Sequence, residues 1–195
     1  FTFEGINERA IWTPDGQQIT FSSNRGAGVF NIFWMPSDGS GEAEQLTTSE
    51  SNWAIDSWSP DGVLAFRRGQ QSYNSNIWVL PLEGEGKPQP FLVTEFNELH
   101  AMFSPDGKWI AFTSNRSGQN EVYVKAYPGP GGIVPISSDG GTQPMWAHSG
   151  KELFYRIEDK MMVVSVRTEP TFEAETPTVL LEGTFSYGRL GRTPQ

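Results

Sequence analysis

The residues that could carry out catalysis are few and far apart in this sequence. His100 and His148 are the only histidines, the chain has no cysteine, and no serine stands in the Gly-x-Ser-x-Gly pattern of hydrolases. Thiolate chemistry is excluded, and a serine nucleophile would need a base from one of two histidines that lie 48 residues apart (148 − 100). Metal ligands usually cluster, and these do not. We therefore predict no catalytic site, no metal and no cofactor.

A short phrase, an aromatic residue followed by a turn, recurs four times and must organise the whole chain. It stands as WTPDG at 12–16, WSPDG at 58–62, FSPDG at 103–107 and WAHSG at 146–150. The aromatic residues are 46, 45 and 43 residues apart (58 − 12, 103 − 58, 146 − 103). This period is typical of β-propeller blades.

Each repeat predicts a small antiparallel sheet. A strand ends on the aromatic residue, the turn follows, and two further strands come next, such as KWIAFTS and EVYVK in the third repeat. The fourth strand is expected at an apolar-hydroxyl pair: Leu46-Thr47, Val93-Thr94 or Ile136-Ser137. The turn aspartates Asp15, Asp61 and Asp106 are interpreted as structural.

Four-stranded sheets of this kind bury both faces by stacking around an axis. We predict an all-β protein, a β-propeller with four blades at about 3–47, 48–94, 95–137 and 138–183, followed by a tail at 184–195. Phe1-Thr2 fits the last strand of a preceding blade, so the ring is expected to be larger than these four blades, and its open blade edges could support self-association.

Composition excludes two classes of partner. The formal net charge is −9 without a basic patch, so a phosphate backbone would be repelled and nucleic acid is not expected. No apolar run approaches the roughly 20 residues of a membrane helix, so direct membrane insertion is not expected either.

The phrases TPDGQQITFSSNR at 13–25 and SPDGKWIAFTSNR at 104–116 resemble the TolB-like propeller repeat, a relative of the WD-repeat class. The unit at 140–183 looks like the propeller of many bacterial serine/threonine protein kinases. The resemblance implies a ring of six blades that serves protein contacts or sensing, in the periplasm or elsewhere outside the cytoplasm. Two blades depart from the pattern, because blade two has Arg67-Arg68-Gly69 in place of Ser-Asn-Arg and blade four has Ala147-His148-Ser149 in the turn.

The predicted binding surface is the funnel face, where the loops into the innermost strands converge around the channel. Residues just before each aromatic anchor are its candidates: Asn7, Glu8, Arg9, Asn52, Trp53, Asp56, Asn97, Glu98, His100 and Gln143.

Three of these candidate positions, Trp53, His100 and Asp56, have open alternatives. Trp53 is either an exposed interface anchor or a residue that packs between blades. His100, three residues before Phe103, could face the channel and bind a ligand, whereas His148 is interpreted as a turn residue. Asp56 could hold a cation or a peptide amine, or make a structural hydrogen bond.

The functional prediction is a noncatalytic propeller that binds or senses a protein or peptide. The alternative is the substrate-gating or binding propeller of a larger enzyme, a prolyl-oligopeptidase-like peptidase or a polysaccharide lyase, whose catalytic part lies outside these 195 residues.

Overall fold

A computed structural model describes residues 4–26, 28–70, 73–82 and 86–183. They form four antiparallel sheets, which we call blades one to four in chain order. Within these described ranges, no helix has the length and apolar character needed to span a membrane. The predictions for Phe1-Thr2 and for the tail at 184–195 lie outside the described residues.

Strand order in the first three blades follows the chain from the innermost strand outward. Blade one contains β1 (Asn7–Trp12), β2 (Gln18–Ser23), β3 (Asn31–Pro36) and β4 (Glu44–Gln45). Blade two contains β5 (Trp53–Trp58), β6 (Val63–Gln70), β7 (Tyr73–Pro81) and β8 (Gln89–Leu92). Blade three contains β9 (Glu98–Phe103), β10 (Trp109–Ser114), β11 (Glu121–Ala126) and β12 (Ile133–Pro135).

Blade four has one more strand than the repeat predicts. It contains β13 (Thr142–Trp146), β14 (Glu152–Ile157), β15 (Lys160–Arg167), β16 (Glu173–Ala174) and β17 (Thr178–Glu182). Both β16 and β17 pair with β15, at different parts of its length. The prediction of an all-β architecture built from antiparallel four-stranded blades is confirmed, with this addition in blade four.

The aromatic-turn phrase forms the hairpin between the first two strands of each blade, as predicted. In blade three, Gly107 has a φ of 72° and donates its backbone N–H to Ser104 O over 2.9 Å. Asp106 Oδ1 accepts hydrogen bonds from Ser104 Oγ at 2.5 Å and from Lys108 N at 3.1 Å. Asp15 makes the same pair of contacts in blade one. These two aspartates therefore have the predicted structural role.

The predicted position of the fourth strand is wrong by two residues. Strands β4, β8 and β12 end immediately before the apolar-hydroxyl pairs. The hydroxyls instead cap the start of the third strand: Ile32 N donates to Thr47 Oγ1 at 2.9 Å, and Val122 N donates to Ser137 Oγ at 2.8 Å. A side-chain acceptor takes the place of a ladder bond at this point, and so the strand ends.

The core lies between consecutive blades. One cluster joins Ile32 of blade one to Ile55 and Leu64 of blade two, and equivalent clusters join blades two and three and blades three and four. In each junction the innermost strand of the later blade packs against the sheet of the earlier one. This stacking places β1, β5, β9 and β13 side by side at the centre of the propeller.

Candidate binding site on the innermost strands

The four innermost strands share an irregularity that the sequence does not reveal. Each strand has a break in its pairing register, and the residues that the break skips lie two or three positions before the aromatic anchor. In three of them the residue three positions before the anchor has a left-handed φ: 56° at Arg9, 55° at His100 and 56° at Gln143. Such angles are uncommon for residues other than glycine, and β-bulges redirect side chains. The same position in blades one, three and four therefore has the same left-handed backbone conformation.

In blade two, the bulge holds Asp56 in an ion pair with Arg67. Arg67 Nε lies 3.1 Å from Asp56 Oδ1 and 2.9 Å from Oδ2, and both side chains are 3% exposed. Asp56 Oδ2 also accepts the backbone N–H of Ala101 at 3.2 Å, which joins blade two to blade three. Burial raises the pKa of the Asp56 carboxyl, and the Arg67 and Arg9 guanidinium groups oppose this effect. The structural interpretation of Asp56 therefore replaces the cation-binding one.

Arg9 is the second cation beside Asp56, and it is open to solvent. Its Nη1 lies 4.0 Å from Asp56 Oδ1, and its side chain is 30% exposed. Burial and the neighbouring charge of Arg67 lower the pKa of Arg9, although a guanidinium keeps its proton at any physiological pH. Two arginines therefore share one carboxylate.

His100 stands next to this group on β9. Its Nδ1 lies 3.4 Å from Thr113 Oγ1, which also accepts the backbone N–H of Gln143 at 3.2 Å. Burial, followed by the charges of Arg67 and Arg9, lowers the pKa of His100 to about 4. The imidazole is therefore neutral at pH 7 and can donate or accept a hydrogen bond.

Two openings lie beside this group of side chains: one borders Arg9 and the other borders Asp56. On one side, Glu8, Arg9, Asn52 and Trp53 line a cavity of about 240 Å³ between blades one and two. On the other side, Asp56 borders a groove of about 550 Å³ whose walls include the four aromatic anchors, three prolines of the turns and His148. A larger cavity, about 870 Å³, lies between the β9–β10 turn of blade three and the β13–β14 turn and the end of β15 in blade four, away from Arg9, Asp56 and His100.

Trp53 is buried rather than exposed. Its side chain is 6% exposed, and its ring stacks on Phe66 at 4.7 Å and on Trp78 at 6.3 Å between centroids. In blade three the same space over the paired rings of Phe112 and Tyr123 holds the Arg116 guanidinium. Trp53 thus takes the place over these rings that Arg116 has in blade three, while the Arg68 guanidinium lies 5.6 Å from the centroid of the Trp78 ring. Of the two alternatives for Trp53, the structure has the packing between blades.

Asn7 and Glu98 are partners of the Ser-Asn-Arg arginines. Arg25 Nη2 donates to Asn7 Oδ1 at 3.1 Å, and Arg116 Nη2 donates to Glu98 Oε1 at 2.9 Å. Glu98 is fully buried. Arg116 therefore braces its blade through a carboxylate, whereas Arg25 uses an amide. Neither Asn7 nor Glu98 is available as a free binding group.

Asn52 and Asn97 join neighbouring blades. Asn52 Oδ1 accepts Phe30 N at 2.9 Å, and Asn97 Oδ1 accepts Ser75 N at 3.2 Å. Each amide therefore ties the loop before an innermost strand to the start of the third strand of the preceding blade. Glu8 is exposed on the rim of the smaller cavity. Of the ten predicted residues, the structure brings four together at the centre: Arg9, Asp56, His100 and Gln143.

Arg67 is the central residue that sequence reasoning missed. It lies opposite Ala54, in the register position that Ser22 holds in blade one and Thr113 in blade three. Those two hydroxyls accept the backbone N–H of Ile55 and Gln143 in the next blade. The sequence does contain a signal for Arg67. Blade two lacks the Ser-Asn-Arg phrase, and at the position just before it blade two has an arginine where blades one and three have a serine and a threonine.

The radial sheets define the class of the fold, a β-propeller. No protein-family model matches the chain, and no curated protein matches it in sequence. Among solved structures, a putative TolB from Agrobacterium tumefaciens is similar with a TM-score of 0.70 and 23% identity, over 90% of this chain and 66% of that one. TolB from Acinetobacter baumannii is similar with a TM-score of 0.74 and 20% identity, over 93% of this chain and 45% of that one. The chain has a TolB-like β-propeller fold.

Peptidases share the architecture at lower similarity. A puromycin-hydrolyzing peptidase from Mycobacterium tuberculosis matches with a TM-score of 0.62 and 14% identity, over 93% of this chain and 31% of that one. A prolyl endopeptidase matches with a TM-score of 0.58 and 9% identity, over 89% of this chain and 27% of that one. The chain thus spans less than two thirds of each of these four structures, and the likeness concerns the fold.

Proposed function

We propose that this chain is a noncatalytic propeller module that binds a protein or peptide partner at the centre of its funnel face. The observation that carries this proposal is the convergence of Arg9, Asp56, Arg67 and His100 at the bulges of the innermost strands, beside a cavity that opens to solvent. Bulges that aim polar side chains into a common space are frequent at binding sites.

The proposed working form is a larger ring, of six blades as in the resemblance, acting outside the cytoplasm. Blades one and four, at the two ends of the arc, carry large exposed apolar side chains, among them Trp12 at 59% and Met145 at 53% exposed. Apolar faces of this kind favour burial against further blades. The proposed link to the propellers of bacterial kinases rests on the unit at 140–183.

Site-specific photocrosslinking tests the binding proposal. Ligands are first selected from a displayed library of random peptides, and a photoreactive amino acid is then placed at Glu8, on the rim of the central cavity, or at the exposed Glu44 on β4 as a matched control. The expected result is capture of the selected peptides from position 8 and not from position 44. Capture from position 44 alone would contradict a central site.

A second candidate function is the substrate-gating propeller of a larger peptidase, which the fold similarity to the two peptidases favours. The two proposals differ in a direct assay. A gating propeller predicts peptide hydrolysis by a longer parent protein, with a change in the accepted peptide length when Arg9 is substituted. A binding module predicts that the parent captures the peptides without hydrolysing them.

A further inference from the structure

A groove of about 480 Å³ separates blades one and two on the side of the hairpin turns. Its walls include a tryptophan and a glutamine of blade one, a leucine of blade two and one proline from each turn: Trp34, Gln18, Leu82, Pro14 and Pro60. It shares no lining residue with the cavity beside Arg9, so it is a separate opening.

The turns of blades one and two leave more room between them than the turns of the later blades. A Cβ atom at Gly107 would lie 3.3 Å from Pro60 Cδ of the preceding blade, and one at Gly150 would lie 3.9 Å from Pro105 Cδ. At Gly62, the corresponding glycine of blade two, no such atom lies within 4 Å in the described residues. The junction between blades one and two is therefore open where the other two junctions bring the turns together.

An aromatic ring fills the corresponding place between blades two and three. Tyr127 of blade three corresponds to Leu82 of blade two, since each donates its backbone N–H to the residue just before the second strand of its blade. The Tyr127 ring packs against Phe91 of blade two at 5.8 Å and against Phe103 at 5.0 Å between centroids. Leu82 places no ring at this position between blades one and two.

A second aromatic residue closes the junction between blades three and four. Trp109 pairs with Ala126 as Gln18 pairs with Pro36, so Trp109 and Gln18 hold the same register position. The Trp109 ring contacts Phe172 of blade four at 5.0 Å between centroids. The junction of blades one and two therefore has a glutamine and a leucine at the two positions where each of the other junctions has one large aromatic residue.

Trp34 and Gln18 offer a ring and an amide to a group that enters the groove. Glu44 Oε2 accepts the Trp34 indole N–H at 3.0 Å, which orients the ring and leaves its face for packing. Gln18 Oε1 is buried and accepts no hydrogen bond in the part of the chain that the structure describes. An unpaired buried acceptor costs free energy, and the last torsion of a glutamine is soft enough to turn this oxygen towards a donor in the groove.

The charges around the groove disfavour an anion. Among the described residues, Asp15 is the only charged one that lines it, and Glu44 adds a second carboxylate beside Trp34. The Thr13 hydroxyl and the Gln17 backbone N–H both donate to Asp15, and they lower the pKa of its carboxyl. A neutral group that carries a hydrogen-bond donor therefore fits better than a negatively charged one.

We propose that this groove is a docking site for a tyrosine side chain of a partner polypeptide, whose ring packs on Trp34 between the two prolines and whose hydroxyl donates to Gln18 Oε1. Tyrosine is the residue that the protein itself places between blades two and three, and it is frequent among the residues that anchor interfaces. Its hydroxyl provides the donor that a phenylalanine lacks. The site goes beyond the proposed function, because it lies at a different opening and does not depend on the central one.

Nuclear magnetic resonance of the tryptophan indole N–H groups tests the inference at pH 7. The probes are Ac-Ala-Ala-Tyr-Ala-Ala-NH2 and the same peptide with Phe, Leu, Arg or phosphotyrosine at the central position. Trp34→Val gives blade one the residue type that Val79 and Val124 provide in blades two and three, and it identifies the Trp34 signal by its loss.

We expect the Tyr peptide at millimolar concentration to shift the Trp34 signal and to leave that of Trp146, which donates to Met102 O, in place. Its affinity should be about threefold above that of the Phe peptide and about tenfold above that of the Leu peptide, because the hydroxyl and the ring each contribute. Equal binding of the Tyr and Leu peptides, tighter binding of the Arg or phosphotyrosine peptide, or no shift by any peptide would each overturn the tyrosine site.

Two tryptophan substitutions locate the binding. Gln18→Trp gives blade one the residue that blade three has at this position, fills the groove and should abolish the effect of the Tyr peptide on the Trp34 signal. Gln17→Trp adds the same ring at an exposed neighbouring residue that does not line the groove, and should leave the effect unchanged. An unaltered response of Gln18→Trp would place the peptide elsewhere and overturn the site.

The outcome is separable from that of the proposed function. Position 8, where library peptides are crosslinked, lines the cavity beside Arg9, and Gln18→Trp should not alter capture there. Capture from position 44 that Gln18→Trp abolishes would support the groove, because Glu44 bonds to Trp34, and it would leave the central site without support. Capture from position 8 with no response of Trp34 to the Tyr peptide would retain the central site and reject the groove.

Discussion

Blades two and three cover the paired aromatic rings of their second and third strands in different ways. In blade three, Arg116 covers the Phe112 and Tyr123 rings and bonds to Glu98, and Thr113 accepts a backbone N–H from the next blade. In blade two, Trp53 occupies the register position of Glu98 and covers the equivalent rings by stacking. The position of Thr113 is then occupied by Arg67, which pairs with Asp56.

The difference shows how a repeat can acquire a site without losing its packing. Trp53 covers the rings by apolar contact where blade three uses Arg116. Arg67 then occupies the register position that Thr113 has in blade three. Blade four, the other blade without a Ser-Asn-Arg phrase, also has an arginine in that register position, since Arg156 pairs with Thr142 as Arg67 pairs with Ala54. Both blades that depart from the repeat therefore carry an arginine at this register position.

Of the predicted substitutions, removal of Trp53 should lower the free energy of unfolding most. Trp53→Ala deletes a ring that contacts Phe66 and Trp78 between blades one and two, and should lower the free energy of unfolding by about 3–5 kcal/mol in urea titration. Trp53→Phe, which retains stacking, should lose much less. A loss below about 1 kcal/mol for Trp53→Ala would show that the tryptophan does not replace the arginine brace.

Breaking the ion pair between Asp56 and Arg67 should have the next largest effect on the free energy of unfolding. Asp56→Asn keeps an acceptor for Ala101 N but leaves Arg67 buried without its counter-charge, and should cost about 3 kcal/mol. The double variant Asp56→Ala with Arg67→Ser restores the residue types that blade one has at these positions, Ala10 and Ser22, and should recover most of the loss.

The same urea titrations decide the role of the pair. If the double variant is no more stable than Asp56→Asn, Arg67 does not destabilise the protein when it lacks its partner. The proposed exchange between a hydroxyl and an ion pair at this position would then be wrong.

The two Ser-Asn-Arg braces should differ in strength because their partners differ in charge. Arg116→Ala leaves the fully buried Glu98 without its cation and should cost about 2–3 kcal/mol, whereas Arg25→Ala removes a bond to the neutral Asn7 amide and should cost about 1 kcal/mol. Equal losses would indicate that contact with the rings, rather than the polar partner, dominates the brace.

The repeat made the architecture predictable, because the spacing of the anchors, the turn residues and the alternation of apolar residues all favour the same sheet. The centre was harder to predict. Bulges at Arg9, His100 and Gln143 change which way a side chain is turned without any composition signal. The burial of Trp53 accompanies the loss from blade two of the Ser-Asn-Arg arginine that covers the rings in blade three, and this exchange becomes visible only when the strands are in register.

The last prediction concerns the acid sensitivity of the same centre. His100 has a pKa of about 4 in the folded protein and an ordinary value of 6.5, so the unfolded chain binds more protons between these two pH values. Its contribution to stability is complete above pH 6.5 and decreases as the pH falls towards 4. Arg9 and Arg67 cause part of this shift, because a second cation beside them is disfavoured.

Replacing His100 with glutamine should therefore flatten the pH profile of stability. Asp56 faces the same group and also titrates in acid, but its effect is common to both proteins and cancels in their difference. Because His100 is partly exposed, we expect the wild type to lose about 1 kcal/mol more than His100→Gln between pH 7 and pH 4 in urea titrations. Parallel profiles would mean that His100 accepts a proton freely in the folded state, and that the two arginines do not act on it as one charged group.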